Sequence, residues 1–209
     1  TGFDLLPTWH PAMLFRDKYA WIPVLRIHTQ RGYLMARGKQ PKWQWKKHVV
    51  APPYGPALRQ FLEEKLPTSV DIETGGKSAF KSSLRVIGFA NRNISVSLPW
   101  GVEQKLVLAI LADKRIPKVG QNFIFDRSCL LYQHGVHVSG IIHDTLTLHA
   151  ILAPELPHDL DFQACIETNA PRWKVAFKAG AGDVKGNEAW LTRPLEEIQP
   201  YNAQDNDIQ

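Results

Sequence analysis

The chain has little cysteine, little methionine and no long apolar run. Cys129 and Cys165 are its two cysteines in 209 residues. That scarcity excludes a disulfide framework and a cysteine-built zinc site, and it fits a reducing, cytoplasmic compartment. The longest unbroken apolar stretch, Leu106 to Ala112, has seven residues, against the ~20 that a membrane-spanning helix needs. No basic start followed by an apolar stretch and a small-residue cleavage site opens the sequence. Acids are scarce early on. Residues 1–68 hold 11 Lys/Arg against 4 Asp/Glu, a balance of +7, whereas residues 69–209 hold 14 against 16, a balance of −2. What is present is globular: 44% of residues are hydrophobic and 22% charged. That is enough apolar content for one large domain, or for a domain of ~150 residues with an added segment.

The charge asymmetry points to two parts with different work. The first part suits an anionic polymer. The second suits clustered carboxylates around a cation. In the first part Lys39, Lys42, Lys46 and Lys47 interleave with Trp43 and Trp45. Such a pattern grips phosphates and stacks bases, or it lays lysine stems over a small core. Both readings stay open from sequence.

Punctuation and periodicity divide the chain into residues 1–50, a basic segment without a long amphipathic repeat; residues 51–65, a breaker cluster (Pro52-Pro53-Tyr54-Gly55-Pro56) and a short helix from Ala57 to Lys65; and residues 66–209. In the last part, strands are predicted at Ser69–Thr74, Leu84–Ala90, Ile94–Leu98, Lys118–Gly120 and Gly140–His143. Helices are predicted at Val102–Asp113, Ile124–His134, Thr145–Leu152 and Leu160–Glu167. A final helix begins at Pro194. Residues 169–190 read as a long loop. The pattern implies an α/β fold with a mixed sheet of about five strands flanked by helices. His134-x-x-His137 lacks further ligands at zinc spacing.

Three acidic motifs stand out. In Asp71-Ile72-Glu73 the two acids point to one face of a strand and Ile72 to the other. Two carboxylates so placed repel each other and are costly to dehydrate without a cation. On an edge strand they would simply be solvated. Asp126 follows Gly120-Gln121-Asn122-Phe123-Ile124-Phe125 at the start of an apolar helix, where an acid also complements the dipole. Tyr201 and Asp205 are four residues apart and share a helix face.

Taken in order, these motifs resemble the 3′–5′ exonuclease family with four acids and a tyrosine, most closely the proofreading domain of family A (DNA polymerase I-like) DNA polymerases. His143-Asp144-Thr145 and Leu160-Asp161 fit the same pattern. The resemblance covers about residues 66–209 and implies a ribonuclease H-like sheet with the carboxylates at one edge. It implies that Asp71, Glu73, Asp126 and Asp205 hold two divalent metal ions, Mg²⁺ or Mn²⁺, and that Tyr201 aims the attacking water. Gln121, Asn122 and Phe125 would bind the 3′-terminal nucleotide. The implied substrate is a DNA 3′ end, single-stranded or frayed, and the implied partner is a polymerase domain C-terminal to this segment. Two departures are visible. Gly75-Gly76-Lys77 follows Glu73 where the family often places a bulky apolar wedge. Asp205 lies four residues from the last residue, so fraying of the final helix would displace it and Tyr201. The alternative is an inactive module of this fold that binds single-stranded DNA or spaces its neighbours; an RNA-trimming enzyme of the same fold is a third reading. Arg172, Lys174, Lys178 and Lys185 in the 169–190 loop are further candidates for contact with DNA.

Thr8-Trp9-His10-Pro11-Ala12-Met13-Leu14-Phe15-Arg16 resembles the last motif of bacterial-type uracil-DNA glycosylases, and Trp21 to His28 fits the closing helix of that fold. The motifs that activate water and read the base in that family would precede residue 1. Residues 1–50 are therefore expected to be the tail of a glycosylase-like domain ahead of an exonuclease, as in a phage-like polymerase.

Overall fold

The computed structural model describes residues 8, 10–14, 21–39, 41–76, 78–171, 173–174 and 191–209. Contacts divide the chain into two units, Trp45–Leu148 with Arg172–Gln209, and Thr1–Gln44 with His149–Pro171.

In the first of these units, alternation in three strands sets the architecture. The strands β2 (Thr68–Gly75), β3 (Ser83–Ala90) and β4 (Ile94–Pro99) form an antiparallel meander. Their register aligns Val70 with Phe89 and Val96, and Ile72 with Ile87 and Leu98. These six side chains are buried in the main core. The core is completed by α3 (Gly55–Glu64), α4 (Gln104–Ala112) and α5 (Phe123–His134), which contribute Leu58 and Phe61, Val107, Ile110 and Leu111, and Phe123 and Leu130. The same register puts Ser69 beside Ala90 and Ser95, and Asp71 beside Gly88 and Ser97. This second face is small and polar, and it receives the last helix, α8 (Leu195–Ile208). Close approach requires Gly88: a Cβ there would lie 2.1 Å from Asn202 Oδ1 and 2.2 Å from Asn206 Nδ2. Ser95 Oγ donates to Ala203 O at 2.8 Å, Ser97 Oγ to Asn202 Oδ1 at 2.7 Å, and Ser69 Oγ to Asn206 O at 2.8 Å.

Among the described residues the sheet has six strands in the order β1-β4-β3-β2-β5-β6, where β1 is Lys47–Val49, β5 Lys118–Gly120 and β6 Ile142–Asp144. The strand added to the expected five is β1. It is three residues long, too short to display alternation, and it pairs parallel to β4. The carboxylate-bearing strand β2 is interior, not the edge strand on which its acids would simply be solvated. However, β5 pairs with it only at Thr68 and Ser69, so the β2 ladder is open on that side from Val70 onward. The site forms at that local opening. The helix expected from Val102 begins at Gln104, because Gly101 and Glu103 adopt positive φ.

The second unit contains α1 (Pro11–Leu14), α2 (Ile22–Ala36), the last turn of α6 (Thr145–Leu152) and α7 (Leu160–Glu167). Its small core is Val24, Leu156 and Ile166, with Trp21, Ile27, Ala153 and Phe162 packed around them. Arg31 binds the C-terminal carbonyls of α7, with Nη2 2.9 Å from Ile166 O and 2.7 Å from Thr168 O. Asp159 caps the other end, accepting from Phe162 N at 3.0 Å. Of the loop expected at 169–190, residues 172 and 175–190 lie outside the described residues, and with them Arg172, Lys178 and Lys185. Trp9, Phe15, Arg16 and Lys77 lie outside them too. Among the described residues no helix is long and apolar enough to cross a membrane.

Candidate active site

Strand alternation turns Asp71 and Glu73 to the α8 face, and α8 returns Asp205 to the same place. Ligand oxygens of Asp71, Glu73 and Asp205 all lie within 4.8 Å of one another. Asp71 and Glu73 are half-buried and Asp205 is buried. Asp126 arrives from the open flank of β2: its Oδ1 accepts a hydrogen bond from Ile72 N at 3.1 Å, so it is fixed to the backbone between the two strand acids. It is not within the tight trio, yet its charge is felt by Glu73.

The electrostatics are those of crowded, dehydrated anions. Burial, and then the charge of Asp205, push the Asp71 carboxyl up to about 8, against Lys174 and the amide of Asn202. Burial followed by Asp71 and Asp205 raises Glu73 well above the ordinary carboxylate range. Burial and Asp71 raise Asp126, although the Ile72 N–H pulls the other way. Burial raises Asp205 as well, offset by Lys174, Trp173 and Tyr201. Burial and the three nearby acids raise the Tyr201 phenol far above its ordinary value, so it is a neutral hydroxyl bonded to Asp205.

Such a donor set fits divalent cations. It is all oxygen and anionic, which suits the hard ions Mg²⁺ and Mn²⁺, and bound positive charge offsets the burial that raises every acid in it and the repulsion that raises Asp71, Glu73 and Asp126. Among the described residues Lys174 supplies part of that charge. Lys174 Nζ lies 3.5 Å from Asp205 Oδ2 and 5.9 Å from the centroid of the Tyr201 ring.

Two of the neighbours, Trp173 and Asn202, are not evident from sequence, whereas Asp144 belongs to the His143-Asp144-Thr145 motif. Trp173 Nε1 donates to Asp205 Oδ1. Asn202 Nδ2 donates to Asp71 Oδ2 at 2.8 Å, while its own carbonyl is held by Ser97. Asp144 accepts from Asn122 N at 3.1 Å and Phe123 N at 2.8 Å, and so caps the helix that carries Asp126. The signal available for Asn202 is its place next to Tyr201 on the helix. For Trp173-Lys174 it is an aromatic–basic pair in a glycine-rich stretch.

The other expected residues gather at the start of α5. Gln121 Oε1 accepts from Thr145 Oγ1. Asn122 is exposed and left-handed, with φ 56°. Phe125 is half-buried. None of the three belongs to the acid trio. Above Gly75, where sequence shows no wedge, the space is filled by Leu191: a Cβ on Gly75 would lie 2.0 Å from Leu191 Cδ2.

The final helix is continuous past Asp205. It continues to Ile208, with Ser69 holding Asn206 and Lys46 and His48 holding Asp207. Lys46 is thus an ion-pair partner within the fold and not part of a solvated basic face. Burial pushes Asp207 up, but hydrogen bonds from His48 and Lys46 outweigh it and keep the carboxyl below its ordinary value.

The family model described as 3′–5′ exonuclease matches residues 57–208. DNA polymerase I of Synechocystis sp. is 28% identical over 157 residues, which is 69% of this chain and 16% of that protein's length. Among solved structures, Trypanosoma brucei RNase D in complex with RNA U12 has a TM-score of 0.58 at 15% identity, covering 78% of this chain and 59% of that one. Brucella melitensis NrnC bound to pGG has a TM-score of 0.54 at 16% identity, covering 79% and 76%. At such identities these two likenesses concern the fold alone, but the family match spans the sheet strands β2 to β6 and every acid of the cluster: the chain belongs to the 3′–5′ exonuclease family.

Proposed function

We propose that this chain is a two-metal 3′–5′ exodeoxyribonuclease that removes nucleotides from DNA 3′ ends, the proofreading part of a larger, phage-like DNA polymerase, with the tail of a glycosylase-like domain at its N-terminal end. The observation that carries the reading is the trio Asp71, Glu73 and Asp205, with oxygens within 4.8 Å in a dehydrated setting. The match to DNA polymerase I supports the DNA substrate and the polymerase context.

In this reading Asp71, Glu73 and Asp205 hold the ions, and Asp126 contributes from the open flank of β2. The ions would acidify a water molecule and neutralise charge on the scissile phosphate and the leaving 3′ oxygen. The chain's own groups do the rest. Tyr201, a neutral phenol throughout the physiological range, positions the attacking water by hydrogen bonding; it is a poor base. Asn202 fixes the rotamer of Asp71. Gln121, Asn122 and Phe125 hold the terminal nucleotide. Water attacks phosphorus, the P–O3′ bond breaks, and a 5′-mononucleotide leaves behind a strand with a new 3′-hydroxyl.

Replacing Asp71 and Glu73 together with Ala abolishes nucleotide release from a 5′-labelled single-stranded DNA in Mg²⁺ or Mn²⁺, and EDTA silences the wild type. Tyr201→Phe slows release by about 10²-fold or less with KM nearly unchanged. Digestion that persists in the double variant, or in EDTA, overturns the assignment. Faster digestion of an RNA oligonucleotide of the same sequence overturns the DNA preference alone.

A further inference from the structure

We propose that residues 45–48, which precede the family-matched segment 57–208, form a strap that positions the C-terminal acid of the site. The proposal rests on the exonuclease reading and names positioning residues for it: Trp45, Lys46 and His48.

The strap reaches Asp205 by two routes. The first runs through Asp207. Lys46 contacts this residue three times: its backbone N donates to Oδ2 at 2.8 Å, its Nζ donates to the backbone O at 2.7 Å, and Nζ pairs with Oδ1. His48 Nε2 lies 2.9 Å from Oδ2. The Asp207 side chain is 1% exposed and that of Lys46 25%, so the fold encloses the carboxylate and leaves the lysine half-buried. The second route runs through Trp173. The Trp45 ring meets the Trp173 ring edge-on, with centroids 6.2 Å apart and planes at 80°, and Trp173 donates to Asp205.

Helix geometry makes the two routes complementary. At 3.6 residues per turn, side chains two positions apart point to nearly opposite sides. Asp205 faces the acid cluster, and Asp207 faces β1. Gripping both sides of one turn fixes the rotation of α8 about its own axis. This matters because the Asp205 carboxylate must stay in register with Asp71 and Glu73, whose ligand oxygens lie within 4.8 Å of its own. The backbone of the strap is itself fixed, since Lys47 and His48 pair with Ile94 and Ser95 on β4. Of the Trp-Lys alternation that reads as a nucleic-acid grip, Lys46 is turned onto α8 and Trp45 onto Trp173.

The test compares wild type with Lys46→Ala/His48→Ala, Trp45→Ala and Lys46→Arg. Three readouts are taken: Mn²⁺ affinity by titration of free-ion EPR signal, amide hydrogen exchange of residues 203–207 in EDTA, and kcat and KM on a single-stranded oligonucleotide. A displacement of Asp205 on the order of 1 Å costs up to about 10²-fold, so the double variant loses kcat by about 10- to 100-fold, binds Mn²⁺ more weakly and exchanges faster at 203–207. Its KM stays the same and circular dichroism shows it folded. Trp45→Ala, which cuts the second route alone, weakens Mn²⁺ binding and lowers kcat by less than the double variant does, and Lys46→Arg retains all three properties. Unchanged Mn²⁺ affinity and exchange in the folded double variant overturn the proposal, as does a loss of kcat that only tracks the unfolded fraction. If the double variant does not fold, Asp207→Asn, which keeps the shape and removes the charge, is expected to show the same losses, and unaltered Mn²⁺ affinity in it overturns the strap. A wild type that binds Mn²⁺ but cleaves nothing sinks the exonuclease reading, while the Mn²⁺ and exchange comparisons still decide the strap.

Discussion

Raising the pH should weaken the metal-free protein, and a divalent cation should reverse the trend. The Asp71 carboxyl has an ordinary value of 3.8 and is pushed up to about 8 in the fold. Between those values the folded protein keeps a proton that the unfolded chain has released. Its stabilising contribution is therefore complete below the unfolded value and is lost progressively until the folded value is passed. The slope is about 1.4 kcal/mol per pH unit for one such proton. Two other sets of groups set the useful window. His28, His134 and His149 are lowered from 6.5, so they act in the opposite direction below that pH. Lys118, lowered by burial to about 8, acts in the opposite direction above it. From pH 6.5 to pH 8 the loss is on the order of 2 kcal/mol, which is about 4–8 °C in Tm for a chain of this size. Glu73, Asp126 and Asp205 are raised too and push the same way. The assay is thermal unfolding by circular dichroism in EDTA at fixed ionic strength. The same scan with Mn²⁺ should flatten or invert the slope, because deprotonated acids bind the ion better as pH rises. Asp71→Asn removes the titrating group, and its EDTA profile should be flatter with a higher Tm at pH 8, at the cost of activity. A wild-type Tm in EDTA that is constant or rises over this window, with no response to Mn²⁺, refutes the reasoning.

Two further outcomes follow from packing. Gly88→Ala places a methyl group against Asn202 and Asn206, so α8 must lift; overpacking costs about 1–3 kcal/mol in urea unfolding, and Mn²⁺ binding weakens with it. Asp144→Ala strips the N-terminal amides of α5 and those of Leu146 and Thr147 in α6 of their shared acceptor, a loss of about 1–2 kcal/mol to be read as a fall in Tm.

Much of the fold was legible because its elements carry their own periodicity. The meander β2-β3-β4 alternates apolar residues with Ser, Gly and Asp, and both the strands and their inner face follow from that. Helices Thr145–Leu152 and Leu160–Glu167 have the bounds that sequence predicts. Strand β1 was not legible, because Lys47-His48-Val49 has no alternation to read and is extended only through its pairing with β4. Whether β2 is interior or an edge strand stays open from sequence. Sequence shows that two acids share a face, but the depth of a strand in a sheet is set by partners far along the chain.

The acids of the site were legible for the same reason that they are strained. A carboxylate in an apolar run breaks the local pattern, so Asp71, Glu73 and Asp126 stand out one by one. What each acid leans on does not break any pattern. Ile72 N–H is a backbone group, free for Asp126 only because β5 stops pairing after Ser69. Asn202 looks like an ordinary polar residue of an exposed helix until Gly88 lets α8 close on the sheet. Lys46 looks like one of several surface lysines until Asp207, 161 positions later, pairs with it. The compensation is therefore non-local almost everywhere. Anions that must sit together without collapsing need neighbours on separate strands and helices, since two adjacent positions cannot surround one oxygen. A site of this kind shows its charges in the sequence and hides the scaffold that keeps them apart.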